Sequence, residues 1–526
     1  MITITGHSLT IHDVARVAID RETVELDEQA LQRAREAHER ITEWGMDQRP
    51  MYGVNTGFGE MAHVTVPARY MSELQVNLLR GCAAGCSEVF DEPEARAILL
   101  ARLNCLARGY SGVSTETLSL MADLLNRGIT PVIPKQGSLG ASGDLSPLSH
   151  MGLPLIGEGE VFFGGERVPS MDALQANGLK PVVLGYKEGL ALNNGTSAMT
   201  GVAAIALLEA HDLLENAVLL ASVVIQCLRG SAAAYDALGH ELKGHPGQIQ
   251  IAERLRSLLT GSRLTRRHAE LMTAIEQQTG DDDAVTDTGI YIQNAYSLRC
   301  VPQILGPVVE TIAFCRGIVE RELNSCNDNP LVFASADTSF HGGNFHGQYV
   351  AMACDYLAIA LTEIGVLAER QLNRLVDPAT SGELPDFLAL TDSGLSFGLM
   401  GVQFLATSVA SENLDLAAPS SVKTIPSNGQ NQDVVSMGLN AARRCLQLSA
   451  NVSTILGVLG AACYQSAHIL GAEQFSEPGR QWFAHTSQTV GPHDETIPVS
   501  AMLSGARSSL LSQEGAELAH KYVNLA

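Results

Sequence analysis

From about residue 187 the chain becomes a succession of long segments rich in Ala, Leu, Val and small residues: 187–230, 246–260, 296–327, 346–376, 400–418 and 431–470. Many carry few charges over several turns. A helix apolar on most faces belongs inside a bundle. Gln348–Leu375 is the clearest case, 28 residues with no Pro and no central Gly cluster. Such helices need more cover than one subunit's outer layer offers, which predicts a homo-oligomer on a shared helical core. Before residue 187 the pattern is more mixed. Ile2, Ile4, Leu9 and Ile11, set among Thr, Gly and Ser, predict short strands over 1–25. Glu, Arg and Ala from Asp27 to Trp44 predict a helix. Residues 50–70 are Gly-rich and irregular, and helices are expected over about 70–85, 92–108 and 115–127. Gly128–Pro147 has three Pro and four Gly in 20 residues, a loop long enough to be functional. The expected division is an N-terminal domain over 1–186, a central long-helix bundle over 187–470, and short helices and loops over 471–526. The expected fold class is mainly α.

Composition narrows the functional classes. The 526 residues include 34 Lys+Arg and 57 Asp+Glu, a formal net charge of −23. Nucleic acid and anionic membrane surfaces both call for a basic face, so neither is an expected partner. The ten Cys show no paired zinc-type spacing, and free thiols in a reducing cytosol are expected. The N-terminus has no basic region followed by a long apolar stretch, so no signal peptide is expected. The apolar runs Ala217–Leu228 and Ile455–Cys463 fall short of the roughly 18–20 residues that span a bilayer. A cytoplasmic protein is the expectation.

Most catalytic motifs are absent. There is no phosphate loop and no H-E-x-x-H. Gly157-Glu-Gly-Glu-Val-Phe162 fails the dinucleotide fingerprint at its third Gly. Gly394-Leu-Ser396-Phe-Gly398 matches the nucleophile-elbow pattern but lacks the apolar strand that should precede it. His341 and His346 lack partners for a metal site, and a structural or site-lining role suits them better. No metal is expected. The informative stretch is Gly137-Ser-Leu-Gly-Ala141-Ser142-Gly143-Asp144-Leu-Ser-Pro147. Gly143 has no Cβ, so its amide nitrogen can approach a nearby carbonyl closely. Attack on the Ala141 carbonyl would close a five-membered ring. Loss of water from the ring and from Ser142 would leave an exocyclic methylidene, an electrophile made from the chain itself. Taken alone this is one chemistry open to a common kind of turn.

The resemblance to a family makes it specific. Gly140-Ala-Ser-Gly-Asp-Leu145 resembles the signature of the aromatic amino-acid ammonia-lyases and 2,3-aminomutases, which form 4-methylidene-imidazol-5-one (MIO) autocatalytically. Tyr52-Gly-Val-Asn-Thr-Gly-Phe-Gly59 resembles that family's catalytic-tyrosine loop, Leu192-Asn-Asn194-Gly-Thr its Asn-Gly-Thr, and Tyr296-Ser-Leu-Arg299 its carboxylate-binding segment. Asn327-Asp328-Asn-Pro330, Gly343-Asn344-Phe345-His346 and Asn431-Gln432-Asp433-Val-Val-Ser436 follow in the same order, so the resemblance covers about residues 1–470. It implies MIO from Ala141, Ser142 and Gly143, and no metal. Tyr52 would be the base for the β-proton, and a weakly acidic phenol needs surroundings that favour its anion for that task. Arg299 would hold the substrate carboxylate. Tyr296, Asn194 and Gln432 would hydrogen-bond the ring or the carboxylate. Asn431 stands beside Gln432 among the substrate-binding candidates. Phe345 would pack near the substrate, and Glu412 matches a glutamate near the amine, with a helix-surface carboxylate as the plainer alternative. The implied fold is the aspartase/histidine ammonia-lyase-like helical bundle, a homotetramer whose sites are shared between subunits. Helix N-termini aimed at MIO would add positive potential there.

Lyase and aminomutase share the elimination half of the reaction. A lyase releases arylacrylate and ammonia; an aminomutase keeps the arylacrylate and re-adds the amine at Cβ, so retention by the lid decides the outcome. Glu60, directly after Gly59, is similar to glutamates of bacterial tyrosine 2,3-aminomutases, and the segments 366–374, 410–419 and 425–429 also resemble those enzymes. An aromatic L-α-amino acid, tyrosine first, is therefore the expected substrate, with a tyrosine or histidine ammonia-lyase as the alternative. The chain departs from its relatives at Gly81-Cys82, which offers no imidazole where tyrosine lyases have His. Asn193, where relatives carry Leu, Ile or Val, is a candidate polar contact.

Overall fold

The computed structural model describes residues 1–525 apart from Gln48, 280–284 and Ser393. The chain is mostly helical. It divides into two units, each assembled from three separate segments. Met1–Leu208, Phe314–Tyr356 and Ala418–Leu446 form the first; Glu209–Ala313, Leu357–Ala417 and Gln447–Ala526 form the second. The expected three-part division instead follows chain order.

The long apolar segments are helices as read: Ser197–Cys227, Val301–Leu323, Gln348–Val376 and Gly438–Leu470. Each has residues in both units. Two of them, Gln348–Val376 and Gly438–Leu470, are long and apolar enough to cross a membrane, contrary to the shorter runs expected from sequence. In each, 72% of the most apolar 18-residue window is buried within the fold, as in a core helix. Their apolar cover is incomplete. Tyr349, Met352 and Tyr356 remain 75%, 43% and 44% exposed, and Phe314 packs edge-on against Tyr356 at 5.9 Å.

In the first unit, the strands Ile2–Ile4 and Val24–Leu26 pair in parallel. Leu9 and Ile11, expected in strands, are not: Ile11–Ala18 is a helix. Thr10 and Asp13 start it with a capping box, in which Thr10 Oγ1 accepts from the Asp13 N–H at 3.1 Å and Asp13 Oδ2 accepts from the Thr10 N–H at 3.1 Å. The expected helices appear as Glu28–Met46, Met71–Cys82, Glu92–Ala107 and Thr115–Asn126. Glu92–Ala107 is buried continuously from Ala95 onward, two arginines included. Arg96 donates to the Val17 and Leu125 carbonyls, closing two neighbouring helix ends. Two short helices, Leu145–Gly152 and Glu188–Asn193, pack against each other and against Met71–Cys82. Thr130–Pro131, Glu160–Phe163 and Glu166–Pro169 make a small antiparallel sheet that the sequence reading missed. In the second unit, Pro246–Leu259, Val402–Leu416, Glu477–Thr486, Val499–Leu511 and Gln513–Tyr522 are helical.

Candidate active site

The Ala141-Ser142-Gly143 tripeptide is clamped on both flanks. Ahead of it, the Leu139 carbonyl accepts from the Met437 N–H at 2.9 Å, and the Gly140 carbonyl accepts from Ser436 Oγ at 3.1 Å. Behind it, the Asp144 N–H donates to the Gly195 carbonyl at 2.7 Å. Gly143 sits at φ +67, and a Cβ there would lie 2.0 Å from the Gly195 carbonyl oxygen, so no other residue fits. Ala141 packs on Val435 and Met437. Gln432 Nε2 donates to Ser142 Oγ at 2.7 Å. Asp144 is wholly buried; Met199 N–H and Ser138 Oγ each donate to its carboxylate at 2.7 Å. Burial pushes its pKa up to about 6, with the Met199 and Ser138 bonds pulling the other way.

Helix starts gather around this loop. Leu145–Gly152 begins directly after it, and Ser197–Cys227 begins two residues after Gly195, which bridges to Gly143. Gly438–Leu470 follows Ser436 and Met437. Gln348–Val376 follows Gly347, whose added Cβ would be 3.0 Å from Ser436 Oγ. Helix N-termini carry partial positive charge, so negative charge developing on the loop is stabilised here.

Asn194 lies next to the Gly195 bridge, nearly buried. Its Nδ2 donates to Asp328 Oδ1 at 3.3 Å and to the Asn329 carbonyl at 3.1 Å. Asp328 in turn pairs with Lys187, both side chains fully buried, and Lys187 Nζ also donates to the Ser111 carbonyl at 3.0 Å. The buried Arg102 holds the Asn194 backbone carbonyl at 2.9 Å and Asn327 Oδ1 at 3.0 Å. Two buried cations thus fix the turn: Lys187 through its ion pair with Asp328, and Arg102 through bonds to neutral oxygens.

The half-buried Tyr52 has its Oη 3.1 Å from the Gly59 N–H, which donates to it, and its ring meets Phe58 edge-on at 6.4 Å. This loop touches the segment that carries Gln432. A Cβ on Gly59 would be 2.4 Å from Asn428 Nδ2, and one on Gly429 would be 2.6 Å from Glu60 Cγ. Asn428, Gly429 and Gln430 are all left-handed, at φ +49, +63 and +74. Ser427 and Gln432 bridge the base of that turn, and Ser427 Oγ donates to Gln432 Oε1 at 3.2 Å. Asn431 is exposed beside Gln432.

The other candidates fall in several places. Gly81 is exposed, with nothing within 4 Å of an added Cβ. Cys82 is half-buried, and burial raises its thiol's pKa. Asn193 is fully buried and donates through Nδ2 to Ser149 Oγ at 3.0 Å, with its Oδ1 unpartnered. Phe345 is half-buried in the loop before Gln348. Tyr296, Arg299 and Glu412 belong to the second unit. Tyr296 is 69% exposed, and the Arg299 guanidinium lies 4.6 Å from its ring centroid. Arg299 Nε is buried with no hydrogen-bond partner. Tyr235 Oη and Gln371 Nε2 brace that segment by donating to the Leu298 and Ser297 carbonyls at 2.8 and 3.0 Å. Glu412 is exposed and accepts from Gln447 Nε2 at 3.1 Å. Ser396 donates to Glu495, whose carboxylate also accepts from the Phe397 and Gly398 N–H groups, so it is a loop-closing hydroxyl. Among the described residues no three His, Cys, Asp or Glu side chains gather as a metal site would require. The sequence reading gave no role to Ser138, Asp144 and Ser436, which stand inside its quoted motifs, and did not single out Arg102 or Lys187. The only local signal at Arg102 and Lys187 was a charge inside or beside an apolar run.

A long-helix chain that holds Ala-Ser-Gly between helix starts, with a tyrosine loop touching the turn that carries Gln432 to Ser142, defines a class. The chain belongs to the aromatic amino acid lyase family, whose sequence model matches residues 9–488. Within that class it is 56% identical to the tyrosine 2,3-aminomutase of Chondromyces crocatus, over 96% of this chain and 95% of that one. It is 45% identical to the tyrosine ammonia-lyase of Cupriavidus metallidurans, over 93% and 92%. The crystal structure of a tyrosine aminomutase from Streptomyces globisporus superposes with a TM-score of 0.95 at 40% identity, covering 99% and 98% of the two chains.

Proposed function

We propose that the chain is a tyrosine 2,3-aminomutase that forms MIO from Ala141, Ser142 and Gly143 and works as a cytoplasmic homotetramer, with some ammonia-lyase activity alongside. The observation that carries it is the clamped tripeptide, whose serine is addressed by Gln432 at 2.7 Å. The residues fit the group: position 143 admits only glycine, and Ala141 is small and packed. MIO, once formed, supplies an electrophile for the substrate's α-amine. Tyr52 takes the β-proton, and the Gly59 N–H steadies the phenolic oxygen as it does so. Arg299 holds the carboxylate, for which its unpartnered Nε is a ready donor. The contact of the Tyr52 loop with 428–429 keeps the arylacrylate in place for re-addition.

The exposed Tyr296, together with the exposed Tyr349, Met352 and Tyr356, supports an assembly that covers them and shares sites between subunits. Co-expression of Tyr52→Phe and Arg299→Ala chains tests this. If sites draw these residues from different subunits, mixed tetramers recover part of the activity that each variant alone lacks. No recovery from isolated mixed tetramers contradicts shared sites. Initial rates with L-tyrosine, L-phenylalanine, L-histidine, L-tryptophan and L-DOPA test the substrate. Tyrosine should give the highest kcat/KM, and a clear preference for another would overturn it.

A further inference from the structure

We propose that Ser138 is a positioning residue for cyclisation of the Ala141-Ser142-Gly143 backbone, an inference that rests on the reading of this tripeptide as the precursor of MIO. Ser138 is 6% exposed and touches neither Ala141 nor the Ser142 hydroxyl in any hydrogen bond among the described residues. Its single hydroxyl joins both ends of the loop. It donates to Asp144 Oδ1 at 2.7 Å, accepts from the Gly140 N–H at 3.2 Å, and stands 3.4 Å from the Gly143 carbonyl oxygen. Asp144 is fixed in turn by the Met199 N–H, and Gly140 by Ser436.

The reacting atoms are left free. Among the described residues, no hydrogen bond engages the Gly143 N–H or the Ala141 carbonyl oxygen, although the groups before and after them are engaged. Ring closure forms a bond from Gly143 N to the Ala141 carbonyl carbon. The Ala141 oxygen leaves as water with the protons of Gly143 N and Ser142 N. The Ser142 hydroxyl leaves as a second water with the proton of its own Cα. No oxidant is consumed. What the fold must supply is a tight turn that keeps 140 and 144 together while the N–C bond forms, and orientation of this kind is worth powers of ten in rate. Ser138 is the side chain that spans those two residues, so its loss should slow cyclisation about 10- to 100-fold.

The test is the mass of the proteolytic peptide carrying Ser142, from purified wild type, Ser138→Ala and Ser138→Thr, together with thermal melting of each. The wild-type peptide should be lighter by two waters; full mass there overturns the MIO reading itself. Folded Ser138→Ala should retain a large uncyclised fraction that converts on incubation, with activity rising in step. Ser138→Thr, which keeps the hydroxyl, should restore cyclisation. Folded Ser138→Ala that is cyclised as fast as wild type, in a time course of peptide mass taken from the moment of synthesis, overturns the role of Ser138. If Ser138→Ala does not fold, Ser138→Cys is read the same way, and cyclisation at the wild-type rate with its weaker donor overturns the role equally.

Discussion

Gly429→Ala probes the contact that is asked to retain the arylacrylate. Gly429 sits at φ +63 between two other left-handed residues, Asn428 and Gln430. Adding a Cβ costs roughly 1–2 kcal/mol for the left-handed backbone alone. The new atom would lie 2.6 Å from Glu60 Cγ and 2.9 Å from its Cδ, so Glu60 must also move away. A segment already carrying strain relieves it by leaving its partner. At 1.4 kcal/mol per factor of ten, the closed arrangement should lose about 5- to 30-fold in population. The ratio of β-isomer to arylacrylate formed from L-tyrosine should fall by a similar factor. Total consumption should change far less, because Tyr52 and Ser142 are untouched. Chromatography of both products at early times measures this. An unchanged ratio in folded Gly429→Ala, or equal losses in both products, refutes the retention argument.

Three further outcomes are expected. Tyr52→Phe should lower formation of both products by about 10²- to 10⁴-fold while its Ser142 peptide still lacks two waters, which mass and rate measurements on one preparation check. Asp144 keeps its proton to about pH 6 when folded, against an ordinary value of 3.8, so between those limits the unfolded chain releases a proton that the folded chain retains. Stability should therefore fall as pH rises through that window, by about 3 kcal/mol, and be flat from this group above and below it. Asp144→Asn should lose that dependence in melting curves at about pH 4 and 7, and matching curves would contradict it. Gly81→His adds an imidazole where nothing lies within 4 Å of the new Cβ. It should change stability by less than about 0.5 kcal/mol and raise kcat/KM for tyrosine relative to phenylalanine.

The long helices were legible because nothing interrupts them. Gln348–Val376 ends within a residue of its reading, having neither Pro nor a Gly cluster to place a break elsewhere. The first helix was not legible by alternation alone. Ile11 continued an apolar rhythm that suggested a strand, and the capping pair Thr10 and Asp13 outweighed it. The hairpin at 160–169 was hidden because its strands are four residues long and half-exposed. At the site, Tyr52, Ser142 and Gln432 could be named from motifs. That Gln432 meets Ser142, 290 residues earlier, could not be read from spacing. The supports were least legible. Arg102 lies 92 residues from the carbonyl of Asn194 that it holds, inside a helix whose pattern gives no cue. Asn193, a candidate because relatives carry Leu, Ile or Val there, bonds Ser149 in the interior, a neighbour 44 residues earlier that spacing could not name.

The most direct test of the account is the early time course of products from L-tyrosine, resolved by chiral chromatography. The account predicts β-tyrosine ahead of the arylacrylate from the first turnovers, with the arylacrylate as the minor product. Arylacrylate and ammonia accumulating with no β-isomer would contradict it and make the protein a lyase built on the same residues.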